Sequence, residues 1–186
     1  MQDTVEKRVN EISRMDETIT ENVLPVAAKI EICGKCTLDC KFCFNHIMKT
    51  TGERQKIMDF HDFLVVLNFL KTIPTMREVG LFYMGESALN PDMPQYYKLL
   101  KDSGYFTFLT TNGTILRTVV DSIPYIDSLK VSWNYKDVKD FKRKTGHNER
   151  TYNTIIENIK TFRNVCLSHG KKLAVSTVLD GSKDEY

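Results

Sequence analysis

The chain has 186 residues, room for one domain with a real core but not for two large ones. Its 26 Lys and Arg against 24 Asp and Glu leave a net charge of +2, which argues against a nucleic-acid coat or a polybasic membrane anchor. With 41% hydrophobic and 27% charged residues, wholesale disorder is excluded, and no stretch approaches the roughly 20 apolar residues of a spanning helix.

The first residues lack an apolar signal core, so no export is read and the default compartment is the cytosol. Val5, Val9, Ile12, Ile19 and Val23 recur at helical steps and predict an amphipathic helix over 3–22. It forms a lead-in, 1–24, to a main domain over 25–186. The apolar run 26–32 predicts a short strand that delivers the chain into a cysteine cluster. Residues 59–71 have helical spacing, with Asp59 as N-cap and Pro74 just past the end. Residues 78–84 read as a buried strand followed by Gly85-Glu86. A helix over 92–102 ends at Gly104, and the β-branched, aromatic stretch 105–111 predicts a third strand closed by the Asn112-Gly113 turn. A short helix over 114–122 and a fourth strand over 128–133 follow. The lysine-rich stretch 136–144 reads as a solvated connection. Ile155, Ile156, Ile159, Phe162, Val165 and Cys166 share one face of a helix over 151–169, closed by Gly170, and 172–179 is a fifth strand.

This alternation predicts an α/β fold of mostly parallel strands covered by helices and joined by right-handed crossovers. About five βα units fit, too few for a closed eight-unit barrel of about 250 residues. The sheet is therefore expected to be a partial (β/α) barrel or an open sheet. Because the chain stops directly after the fifth strand, we expect the domain to be incomplete at its C-terminus.

Four of the five cysteines, Cys33, Cys36, Cys40 and Cys43, fall within eleven residues. Crowded thiols in a reducing compartment suit a metal better than a disulfide framework. Soft thiolates suit both iron-sulfur clusters and zinc. Three thiolates in C-x3-C-x2-C spacing can hold one face of a cubane cluster. All four, as C-x2-C-x3-C-x2-C, could instead close a tetrahedral zinc site or a four-cysteine iron-sulfur centre, although three residues between the two pairs make a single-ion loop strained. Cys33 at a strand end and Cys166 on an apolar helix face read as buried small hydrophobes. His46, His61, His147 and His169 are not spaced as a metal site, and Asn112-Gly113-Thr114 is formally a glycosylation sequon that means nothing without export.

Cys36, Cys40 and Cys43, with Phe42 immediately before the last cysteine, resemble the signature of the radical S-adenosylmethionine (radical SAM) superfamily. The resemblance implies a [4Fe-4S] cluster on those three cysteines, on the loop after the first strand of a partial β/α barrel. It implies that S-adenosylmethionine chelates the fourth iron, and that its reductive cleavage gives a 5′-deoxyadenosyl radical that abstracts a substrate hydrogen. Met84-Gly85-Glu86-Ser87 resembles the family's G-G-E-P motif facing the methionyl ammonium, with Met84 and Ser87 as departures. Ser132-Trp133-Asn134 resembles its S-x-D stretch reaching the ribose and carboxylate, with Asn134 lacking the charge. Arg143 is similar to a basic residue that some peptide-modifying members use against the methionyl carboxylate. Phe42 and Val178 would lie beside the adenine. A flavodoxin or ferredoxin is the implied electron donor. The substrate is unidentified, with a peptide favoured over RNA and neither DNA nor a membrane expected. The other class of function is a zinc or iron-sulfur binding or electron-transfer domain without radical catalysis.

Overall fold

The computed structural model describes residues 24–48 and 56–178; the helix expected over 3–22 and the end of the fifth strand at Leu179 lie outside them. Five strands, β1 (Ala27–Lys29), β2 (Glu78–Gly80), β3 (Phe106–Thr111), β4 (Ser128–Ser132) and β5 (Leu173–Ser176), pair in parallel in sequence order to make one sheet. Parallel neighbours require crossovers. These contain α1 (Phe44–Met48), α2 (Phe60–Lys71), α3 (Met93–Asp102), α4 (Arg117–Ser122), α5 (Val138–Thr145) and α6 (Glu149–Ser168). The α/β expectation holds, and the strand C-termini all emerge at one end of the sheet.

The strands are shorter than the apolar runs suggested, because the chain leaves the ladder early to bond elsewhere. After β1, the Ile30 N–H still reaches the Gly80 carbonyl, but the Ile32 carbonyl already accepts from the Met58 N–H. After β2, the Leu81 N–H donates to the Tyr97 hydroxyl instead of a neighbouring strand.

One expected connection is a helix. Residues 136–144, read as solvated, contain most of α5, which Asp137 caps by accepting from the Asp140 N–H. Only Phe141 and Thr145 are buried in it, so eight mostly charged residues carry no visible period. Gly146, at φ +72°, turns the chain out of α5 in a conformation that a side chain would strain. The next helix starts at Glu149, two residues earlier than expected, because Asn148 accepts from the Thr151 N–H.

Two apolar clusters hold the layers together. The larger runs beneath α2, α3 and the sheet, where Phe63 stacks on Tyr96 with ring centroids 4.0 Å apart, and Cys166 is buried in it as expected. The smaller joins Leu38 of the cysteine loop to Tyr135, Phe141 and Ile155. Among the described residues, no helix is long and apolar enough to cross a membrane.

The buried Tyr97 hydroxyl accepts from the Leu81 N–H at 3.2 Å and donates to the Phe108 carbonyl at 2.9 Å, pinning α3 to the exit of β2 and the middle of β3. Tyr97→Phe removes the acceptor of a fully buried amide. It should lower unfolding free energy by about 1–3 kcal/mol in urea titrations, and an unchanged midpoint would contradict this account.

Candidate metal centre

The loop from Cys33 to Cys43 leaves the end of β1 and is fixed by backbone bonds from three directions. The Gly34 N–H donates to the Lys56 carbonyl, the Glu86 N–H to the Lys35 carbonyl, and the Lys41 N–H to the Lys144 carbonyl. The contact with the loop after β2 is close enough to need glycine. A Cβ on Gly85 would sit 2.0 Å from the Cys33 carbonyl oxygen and 2.8 Å from that of Lys35. No side chain fits there without moving backbone.

Cys36, Cys40 and Cys43 are half-buried and line one cavity of about 180 Å³, together with Gly85, Glu86 and Ser132. Cys33 does not join them. It is 1% exposed, and its sulfur lies 3.7 Å from the Lys35 carbonyl. Among the described residues no three cysteine sulfurs lie within 4.8 Å of one another; the group that does is the exposed Asp59, His61 and Asp62 at the start of α2. A tetrahedral ion with metal–sulfur bonds of about 2.3 Å would draw its thiolates to about 3.8 Å apart. Three soft thiolates on one cavity wall are instead a donor set that would hold an iron-sulfur cluster. The donor set therefore fits a [4Fe-4S] cluster held at three corners. Burial pushes the Cys36 thiol up, and pushes Cys40 up to about 11 despite the hydrogen bond from Tyr135. Bare thiols in this setting keep their protons until a metal replaces them.

Glu86 is 2% exposed, and its carboxylate faces inward. It accepts from the Thr111 hydroxyl at 2.8 Å, the Asn112 N–H at 2.7 Å and the Ala88 N–H at 3.2 Å. Burial nevertheless outweighs these bonds and raises its pKa. A second carboxylate, Glu31, accepts from the Met84 and Gly85 N–H groups at 2.9 and 3.1 Å.

The remaining expected residues meet around a neighbouring cavity of about 370 Å³ lined by Phe42, Asn134, Arg143 and Val178 with Lys41 and Lys144. Phe42 and Asn134 line both cavities, which places the whole expected set along one surface. Asn134 Oδ1 accepts from the Val178 N–H at 2.8 Å, fastening β4 to β5. Arg143 is exposed and paired with Asp140, while Lys144 Nζ bridges Asp140 at 3.0 Å and the Asn134 carbonyl at 3.2 Å. Burial alone would raise the Asp140 pKa, but the Lys136 N–H, Lys144 and Arg143 outweigh it and hold the carboxyl below its usual range.

Sequence reasoning missed several members of the site. Asn112 Nδ2 lies 3.5 Å from Cys36 Sγ and 3.0 Å from the Thr37 hydroxyl, and the Tyr135 hydroxyl lies 3.9 Å from Cys40 Sγ. The available signal was position: Asn112 directly follows β3 and Tyr135 follows β4, at the ends where Glu86 and Asn134 were already expected to converge.

A parallel α/β sheet with three thiols on the loop after its first strand defines a partial barrel that binds a metallocofactor. The family model described as the radical SAM superfamily matches residues 30–186, and the chain belongs to that superfamily. Its members use a [4Fe-4S] cluster and S-adenosylmethionine. A 7-carboxy-7-deazaguanine synthase of Methanocaldococcus jannaschii is 28% identical over 142 residues, 70% of this chain and 56% of that protein. A tungsten-containing aldehyde ferredoxin oxidoreductase cofactor-modifying protein of Pyrococcus furiosus is 28% identical over 88 residues, 47% of this chain and 24% of that protein. The chain thus spans about half or less of these relatives. Among solved structures, Streptococcus suis SuiB bound to its precursor peptide SuiA superposes with a TM-score of 0.63 at 18% identity, over 94% of this chain and 37% of SuiB, which supports the same fold.

Two outcomes test this geometry. Gly85→Ala should abolish iron uptake during anaerobic reconstitution, while far-ultraviolet circular dichroism retains the α/β signal. In metal-free protein, alkylation of Cys40 should be slow at about pH 8 and accelerate toward pH 11, as thiolate forms. Mass spectrometry of iodoacetamide-treated samples reads this directly.

Proposed function

We propose that this chain is the cluster- and S-adenosylmethionine-binding core of a radical SAM enzyme. The observation that carries the reading is the placement of Cys36, Cys40 and Cys43 on one cavity wall while Cys33 is buried outside that lining. When bound, the reduced cluster supplies one electron to the sulfonium, whose cleavage yields methionine and a 5′-deoxyadenosyl radical that takes a hydrogen atom from substrate.

The chain's own residues supply binding and orientation. Glu31 occupies the N–H groups of Met84 and Gly85, so this loop is left with carbonyl acceptors for the cavity, suited to the methionyl ammonium. Glu86 acts by bracing that loop against β3. Ser132 and Asn134 line the cavity at the end of β4, where hydroxyl and amide groups suit a ribose. Phe42 and Val178 offer exposed apolar surface on the adjoining cavity to the adenine, and Arg143 on its rim offers a cation to the methionyl carboxylate.

A reductant is needed by this superfamily, and we assign the role to a flavodoxin or ferredoxin. Reduced thiols of this kind fit the cytosol. For the substrate we favour a peptide over RNA. The near-neutral charge supports this, since RNA binding draws on clustered positive charge, and the likeness to SuiB is consistent with it.

Anaerobically reconstituted, reduced protein should release 5′-deoxyadenosine from S-adenosylmethionine, read by chromatography. Changing Cys36, Cys40 or Cys43 to Ala should reduce this to background, whereas Cys33→Ala should retain most of it. Equal damage from Cys33→Ala would favour a four-thiolate centre.

A further inference from the structure

The hydrogen bonds around Asn112 run in one direction, and that direction decides what faces the Cys36 sulfur. Asn112 Oδ1 accepts from the Thr114 N–H at 3.0 Å and from the Thr114 hydroxyl at 2.7 Å. An amide held through its oxygen by two donors presents its NH2 group on the other side. The Thr114 hydroxyl has given its proton to Asn112, so it can only accept from the Thr37 hydroxyl. Thr37 donates there and in turn accepts from Asn112 Nδ2 at 3.0 Å. This ring consumes both hydroxyl protons and one amide proton. The second amide proton is directed at Cys36 Sγ, 3.5 Å away.

A second donor approaches the neighbouring sulfur. The Tyr135 hydroxyl is 3.9 Å from Cys40 Sγ, and its ring is held edge-on against both Phe141 and Trp133. Once Cys40 is a metal-bound thiolate it has no proton to give, so the phenol donates. Among the described residues, the Cys43 sulfur receives no such bond.

We propose that Asn112 and Tyr135 are positioning residues that set the reduction potential of the cluster through the sulfurs of Cys36 and Cys40. This rests on reading the triad as cluster ligands. Hydrogen bonds to a ligand sulfur withdraw negative charge from the cluster, and they stabilise the reduced state more than the oxidised state. The two donors therefore raise the potential and bring the cluster within reach of a biological donor. The Asn112-Gly113-Thr114 sequence has its use here: Asn112 and Thr114 close the ring with Thr37, and Gly113 packs against Ile155 and Val131, where a Cβ would come within 3.1 and 3.3 Å.

The test compares wild type, Asn112→Ala, Tyr135→Phe and the double variant after anaerobic reconstitution. Each is titrated with reductant while the electron paramagnetic resonance signal of the reduced cluster is followed, with and without S-adenosylmethionine. Both single variants should load iron and sulfide and titrate at a lower midpoint potential, with the double variant lower still. Loaded variants that titrate with the wild type would overturn the proposal. If Asn112→Ala fails to load, Tyr135→Phe decides alone, and its failing to load as well would assign both residues to cluster retention and also overturn the proposal. Wild-type protein that takes up no iron would instead overturn the reading of the triad, and this inference with it.

Discussion

Glu86 sits where three strand ends meet, with its carboxylate almost out of contact with water. Such a group is tolerated only when donors surround it, and here they come from Thr111 and Asn112 at the end of β3 and from Ala88 in the turn after β2. Its own N–H holds the Lys35 carbonyl, and the bare Gly85 beside it lets the two backbones touch. The position of the thiols relative to the sheet follows from this junction. Remove the carboxylate and three donors lose their acceptor together. Remove the glycine's freedom and the cysteine loop must lift away from β2.

The outer side of the loop is held differently. Leu38 packs on Phe141, Tyr135 and Ile155, which form an apolar floor under the thiols, while the Lys144 carbonyl takes the Lys41 N–H. Asp140 gathers Arg143, Lys144 and the Lys136 N–H at the same corner. The metal site therefore rests on a buried polar junction on one side and on aromatic packing on the other. Glu86 lies buried beside one cavity, while Arg143 and Lys144, both paired with Asp140, line the other.

The regular part of this architecture was legible because it repeats: apolar strands alternate with helical periods. The spacing of Cys36, Cys40 and Cys43 pointed to a metal, and only their resemblance to a family signature singled out an iron-sulfur cluster over zinc. Cys33 was separable from them as a small buried hydrophobe, and it is buried, although β1 ends at Lys29 and Cys33 stands in an isolated bridge with Ile57. What stayed hidden depends on distant partners. Thr37 and Thr114 are ordinary residues 77 positions apart until the fold joins them. Asn112 looked like a turn residue because its local sequence describes a turn; its reach to Cys36 is a property of the β1–β2–β3 packing. α5 escaped notice because a short helix anchored by Phe141 and Thr145 shows too little apolar periodicity against its lysines.

The order of these partners along the chain has a consequence for assembly. The thiols occupy residues 36–43, yet the groups that shape their pocket come from Gly85, Asn112, Tyr135 and Lys144. A ribosome adding about 5–20 residues per second needs roughly 5–20 s to travel from Cys43 to Lys144. During that interval the nascent polypeptide displays three sulfhydryls with no cradle around them. A cluster held by these thiols would find its surrounding groups complete only once translation has passed the fourth βα unit.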